Sequence, residues 1–153
     1  MARVTSSVVI HAPVERVMRL AQHVERFPEF MKDVKSVEIL SWEGNVVRAR
    51  WVGRVEELRI NVKWIEEDVW DFEARTSHFR QVEGDYGKLE GVWRFEPVPE
   101  GTLFTSVVEI EYDVPLIGGL LKGLIAKKAK ENVDATLEAI KRQAEAEAAS
   151  GEA

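Results

Sequence analysis

The chain has 153 residues, of which 45% are hydrophobic and 31% charged, with a formal net charge of -6 at pH 7. That acidic balance argues against a general nucleic-acid binder, which needs a basic footprint for phosphates. With no cysteine, disulfides, thiolate-held zinc and thiol catalysis are excluded.

The length suits one domain with a sizeable core, expected over residues 1–146, with residues 147–153 as a fraying Ala/Glu-rich tail. No apolar run reaches the length of a membrane span, and Met1-Ala2-Arg3-Val4 leads into a strand pattern rather than a signal peptide. The expectation is therefore a cytoplasmic protein. Asn and Gln number three each, a scarcity that resembles thermophile composition.

In chain order, Val4 to Ile10 is rich in β-branched residues and reads as a strand closed by His11-Ala12-Pro13. Pro13 suits the start of a helix, and Glu15 complements its dipole in the first turn. Val14, Val17, Met18 and Ala21 supply the apolar face of a helix over 13–24. A second short helix is expected over 28–32, beside Phe27, Phe30 and Met31.

From Val34 onward the hydrophobic period becomes two. Val37 and Ile39 begin a strand that stops at Glu43-Gly44-Asn45, a turn signal. Val47, Ala49 and Trp51 then alternate with Arg48, Arg50 and Val52. Leu58, Ile60, Val62 and Trp64 alternate with Arg59, Asn61 and Lys63. Glu66-Glu67-Asp68 reads as a polar turn. Trp70, Phe72, Ala74 and Thr76 form the next alternation, Leu89, Gly91, Trp93 and Phe95 another, and Phe104 through Tyr112 the last. Successive alternating strands with short connections specify an antiparallel sheet with one dry face.

The C-terminal segment reads as one helix of about 28 residues, about 40 Å long at 1.5 Å per residue. Leu121, Ile125, Ala129, Val133, Leu137 and Ile140 recur at helical spacing. Only this element is long enough to cover the sheet, so the fold class is α+β: a curved seven-stranded antiparallel sheet around a long terminal helix, in the order β-α-α-β6-α.

By parity the dry face carries Trp51, Trp64, Trp70, Phe72, Trp93, Phe95, Phe104 and Tyr112. A curved sheet meets a straight helix imperfectly, so these aromatics either fill a solid core or line an apolar hollow for a ligand. Ser106, Thr76, His78 and Tyr112 are the polar groups expected on the same face. Gly118, Gly119 and Gly123 loosen a helix start that is apolar nearly all round, through Leu116, Ile117, Leu120, Leu121, Leu124 and Ile125. That start reads as a gate, as a buried helix end, or, with Lys122, Lys127, Lys128 and Lys130 nearby, as a membrane-surface contact over Leu116 to Lys130.

Three stretches resemble the START-like (Bet v 1-like, helix-grip) superfamily, in particular its polyketide cyclase/dehydrase and coenzyme Q-binding (Coq10-type) branch. The first is Ile10 to Val17, a strand running into a Pro-started helix. The second is Arg26-Phe27-Pro28-Glu29-Phe30-Met31-Lys32-Asp33-Val34, similar to a family YPxFxPxV segment with Phe27 for Tyr and Lys32 for the second Pro. The third is Leu89-Glu90-Gly91-Val92-Trp93-Arg94-Phe95-Glu96-Pro97, similar to GxWxFxP. The resemblance implies a cavity for lipids, quinones, sterols or polyketides and leaves the activity open, since a fold alone does not fix function.

The sequence is poor in convergent catalytic groups. His78, Tyr112 and Ser106 are the weak catalytic candidates; no spacing indicates a metal site, and no cofactor is expected. Arg48, Arg50 and Arg54 fall on the wet face. The expected ligand-binding set is Phe27, Phe30, Met31, Trp51, Trp64, Trp70, Phe72, Trp93, Phe95, Val108, Ile110, Tyr112, Leu121, Leu124 and Ile125. The reading is a binder or carrier of an apolar small molecule, with a polyketide cyclase/dehydratase-like enzyme as the alternative.

Overall fold

The structure is a computed structural model. It describes residues 2–56, 59–112 and 119–151, excepting the side chains of residues 2, 112 and 119–126. Strand β1 (Ala2–Ile10) leads to helix α1 (Val14–Gln22) and a 3-10 helix (Val24–Glu29). Six strands follow: β2 (Val34–Glu43), β3 (Val46–Val55), β4 (Ile60–Asp71), β5 (Thr76–Gly84), β6 (Tyr86–Val98) and β7 (Gly101–Tyr112). Helix α2 (Gly119–Ser150) completes the order. The strands form one antiparallel sheet in the order β1-β7-β6-β5-β4-β3-β2.

The α+β class and the strand number expected from the alternation are those observed, but two strands lie elsewhere. Glu66-Glu67-Asp68 is not a turn: β4 runs unbroken from Ile60 to Asp71. The chain reverses instead at 72–75, where Asp71 Oδ1 accepts the Ala74 N–H at 2.9 Å and Arg75 takes a left-handed φ of 57°. This turn has no Gly, Pro or Asn, and its local signal is Asp71, one acidic residue among several in the stretch. Strand β5 runs over Thr76–Gly84, beginning where the expected strand from Trp70 to Thr76 was to end. Phe72 consequently sits in the turn, 49% exposed.

Helix α1 begins after Pro13, whose carbonyl accepts the N–H groups of Arg16 and Val17 at 3.0 and 3.1 Å. It ends at Gln22, short of Val24. Pro28 lies within the 3-10 turn ahead of the short helix expected over 28–32. Phe27 at its centre is fully buried, and its carbonyl accepts the N–H groups of Phe30 and Met31.

Helix α2 crosses the concave face and packs chiefly on β1, β7 and α1. Its polar side chains fasten it along β1: Ser6 Oγ donates to Asp134 Oδ1 at 2.6 Å, Lys130 Nζ to the Thr5 carbonyl at 3.1 Å, and Lys141 Nζ to the Val9 carbonyl at 2.8 Å. Glu145 Oε2 accepts the His11 N–H at 2.9 Å. These bonds blunt an edge strand that would otherwise offer free carbonyls. The helix runs to Ser150 rather than stopping at Ala146, with Arg26 and Glu147 paired at 3.6 Å and Ala148 against the core. No helix among the described residues is long and apolar enough to cross a membrane.

The interior divides in two. At one end, Ile10, Val17, Phe95, Phe104, Leu137 and Ile140 are essentially solvent-free, with Phe95 and Phe104 stacked at 4.7 Å and Trp70 on Phe95 at 5.8 Å. At the other, a smaller group of Val4, Leu89, Val108, Ile110 and Ala129 packs together. Between them the sheet leaves the helix.

Candidate functional site

A cavity of about 350 Å³ lies there, bounded by β3 to β7, the 3-10 helix and the middle of α2. Ligand pockets generally span about 300–1,000 Å³, and an engineered apolar cavity of about 150 Å³ is enough for benzene. The space therefore admits more than one aromatic ring. Exposed Lys32 and Arg142 are among its lining residues and mark where it meets solvent.

Of the residues expected to bind a ligand, Phe27, Phe30, Met31, Trp51, Trp64, Trp93, Val108 and Ile110 line the cavity. Trp51 and Trp64, opposite each other in register, stack at 5.6 Å. Phe27 meets Trp51 edge-on at 5.7 Å. Two glycines set this geometry: a Cβ on Gly53 would lie 3.3 Å from the Trp64 ring, and one on Gly84, where φ is +152°, would lie 2.4 Å from Trp64 Cβ. Trp64 can lie flat against the sheet because both positions lack a side chain.

Trp70 and Phe95 are buried at the solid end and do not reach the cavity; nor does Phe72, in its exposed turn. The parity that selected Trp70 and Phe95 was correct for the face, but position along the strand decides which end of the interior a residue enters. Tyr112, Leu121, Leu124 and Ile125 lie outside the described side chains, as does the Leu116 to Ile125 part of the expected gate or membrane contact.

His78 requires a correction. It pairs in register with Val69 and Val92 and is exposed on the outer face. The strand it was grouped with ends at Asp71, and the turn at 72–75 resets the phase, so Ser77 faces inward while Thr76 and His78 do not share its phase. Ser77 and Ser106 are buried, at 2% and 0% exposure, and both line the cavity. Arg48 and Arg50 pair outside the cavity with Glu67 and Glu38 at 2.7 and 2.6 Å. Arg54, paired with Glu56 at 3.1 Å, reaches the cavity lining.

The residues missed by sequence reasoning are Glu66 and Asp68. Because β4 is continuous, they share the phase of Val62, Trp64 and Trp70 and line the cavity. Glu66 is opposite Gln81 across a bulge that leaves Val82 unpaired in β5. Two residues apart on one face of β4, the two carboxyls interact directly, and each moves the other's proton affinity. Trp64 Nε1 donates to Glu66 Oε1 at 3.1 Å. Burial pushes the Glu66 carboxyl up, against the lowering effect of its polar neighbours Asp68 and Trp64. Burial pushes Asp68 well above the usual carboxylate range, and the neighbouring Glu66 charge raises it further. The available signal was phase: continuing the Val62-Trp64 alternation to Trp70 places residues 66 and 68 on the dry face.

Three polar atoms at the cavity have no hydrogen-bond partner among the described residues: Trp51 Nε1, Asp68 Oδ1 and Ser106 Oγ. Buried polar groups are normally satisfied, so the cavity offers one unused donor, one hydroxyl and one unused acceptor to whatever fills it. No group of three or more His, Asp or Glu among the described residues could hold a metal ion.

A sheet clasping a long helix over an internal cavity is the helix-grip architecture of START/Bet v 1-like proteins. The chain belongs to the family described as "Polyketide cyclase / dehydrase and lipid transport", whose model matches residues 10–137. It is similar to the crystal structure of TTHA0849 from Thermus thermophilus, with 37% identity and a TM-score of 0.88 over 94% of this chain and 97% of that one. It shares its fold with the Zhui aromatase/cyclase from Streptomyces sp. R1128, at 20% identity and a TM-score of 0.85 over 99% and 98% of the two chains. A Streptomyces cyaneus protein named "Putative polyketide cyclase" is 33% identical over 98 residues, which are 63% of this chain and 64% of that relative's length. Nothing in these relatives singles out the coenzyme Q-binding branch.

Proposed function

We infer that the chain binds a hydrophobic small molecule, of lipid, quinone or polyketide-like character, in the cavity between the sheet and α2. The observation that carries this reading is the cavity itself: about 350 Å³, walled by Phe27, Trp51, Trp64 and Trp93, in a family of cyclases, dehydrases and lipid carriers. Burial of apolar ligand surface is worth about 25 cal/mol per Å², so aromatic walls supply affinity while the few polar atoms orient the guest.

Native mass spectrometry of gently purified protein and titration with 1-anilinonaphthalene test the reading. Saturable one-to-one binding is expected, weakened at least tenfold by Val108→Phe, which fills the cavity from β7. A protein that carries no apolar molecule and takes up no dye, or a Val108→Phe variant that binds as well as the parent, would refute it.

The enzymatic reading is favoured by a different observation, the Glu66–Asp68 pair. Apart from Ser106, the groups first expected to serve catalysis do not carry it: His78 faces outward, and Tyr112 lies outside the described side chains.

A further inference from the structure

We propose that Glu66 and Asp68 form an acid–base pair that enolises a neutral aryl or polycyclic ketone held in the cavity. The proposal rests on the cavity being the ligand site, and it adds what the cavity does to its guest.

The geometry supplies three requirements. First, the pair opens into an otherwise mainly apolar space rather than onto the surface: Asp68 is 6% exposed, and both side chains line the cavity. Second, the surroundings of the two carboxyls differ, and the difference divides the roles. Glu66 accepts from Trp64 Nε1, which favours its carboxylate and the role of base, while Asp68 is the more deeply buried and takes the role of acid. A base and an acid side by side in a dry site are what proton abstraction beside a carbonyl needs. Third, the site has spare hydrogen-bonding capacity for an oxygen-bearing guest. Ser106 Oγ, wholly buried, and Trp51 Nε1 have no partner among the described residues. A carbonyl oxygen can accept from either. A hydrocarbon guest would leave both unsatisfied, which is costly in a dry site, so the cavity favours oxygenated rings over plain alkyl chains.

In the step, Glu66 takes a proton from the carbon next to the carbonyl. The C–H electron pair becomes the new C=C bond, and the carbonyl π pair takes the Asp68 proton to form the enol O–H. The pair ends as it began, with one proton, now on Glu66. Reversal returns the ketone, and in D₂O the returned atom is deuterium. No oxidant, reductant or metal enters the balance.

The probe is 2-tetralone, a neutral bicyclic ketone, followed by NMR for deuterium uptake beside its carbonyl in D₂O. General acid–base catalysis contributes about 10²–10⁴-fold. Exchange with the parent protein is expected at least ~100-fold above buffer, falling close to the buffer rate in Glu66→Gln and at least ~10-fold in Asp68→Asn. Both amides are near-isosteric, and 1-anilinonaphthalene affinity and Tm check that the cavity survives. A parent that binds the dye and tetralone but leaves exchange at the buffer rate overturns the pair's role and leaves the binding reading standing. So do variants that exchange as fast as the parent. A parent that binds neither molecule overturns both readings.

Discussion

The two ends of the interior are built from the same residue types on the same face of the same strands, yet one is solid and the other hollow. At the solid end, Phe95, Phe104 and Trp70 stack under α1 and the later turns of α2. At the open end, Trp51 and Trp64 stack on each other rather than against the helix. The difference follows from where α2 is fastened. Its hydrogen bonds go to β1, at one edge of a twisted sheet, so the β3–β5 side curves away from it. Aromatic content alone does not make a core; it makes one where a second layer comes within contact distance.

The largest effect that tests this contrast is Phe104→Ala. Deleting a fully buried ring stacked on Phe95 is expected to cost about 3–5 kcal/mol in urea unfolding, with dye affinity per folded molecule unchanged. A loss below about 1 kcal/mol would show the solid end to be loosely packed. Trp64→Ala, which only enlarges a space already present, is expected to cost about 1–3 kcal/mol and to alter dye binding more than any change at the solid end. Equal losses from both variants would erase the distinction.

A smaller effect sharpens the comparison through pH. Asp68 and Glu66 have folded pKa values raised above their unfolded ones. Their contribution to stability is therefore complete below the unfolded carboxylate range and is lost as pH rises through the raised folded values. Asp68→Asn removes that loss. Its Tm is expected to match the parent's in acid and to exceed it by about 2–4 °C in alkali, for a gain of about 1 kcal/mol. Parallel Tm curves across pH would mean that the pair is not buried as described.

Most of the architecture was legible in local pattern. Alternation in β3, β6 and β7, the Pro13 helix start and the three- and four-residue spacing from Ala129 to Ile140 each reflect a side chain choosing between water and oil, and they led to the right class. The site was only half legible. Trp51, Trp64 and Trp93 were found because large apolar residues on a dry face have few other uses. Glu66 and Asp68 were missed because acidic triplets usually mark turns, and the real turn at 72–75 is made by Asp71 and a left-handed Arg75. That error shifted the phase of the next strand and brought His78 into the candidate set.

Hydrophobic periodicity by itself determined the strand and helix types, the single curved sheet and the long covering helix, because these depend on each residue's neighbours in sequence. Only the tertiary structure decided that Trp70 and Phe95 belong to a packed end, that Trp51 and Trp64 wall a cavity, and that two carboxyls lie side by side along its lining. Those outcomes depend on the distance between sheet and helix at each point, which is set by strand register, twist and the fastening of α2 to β1.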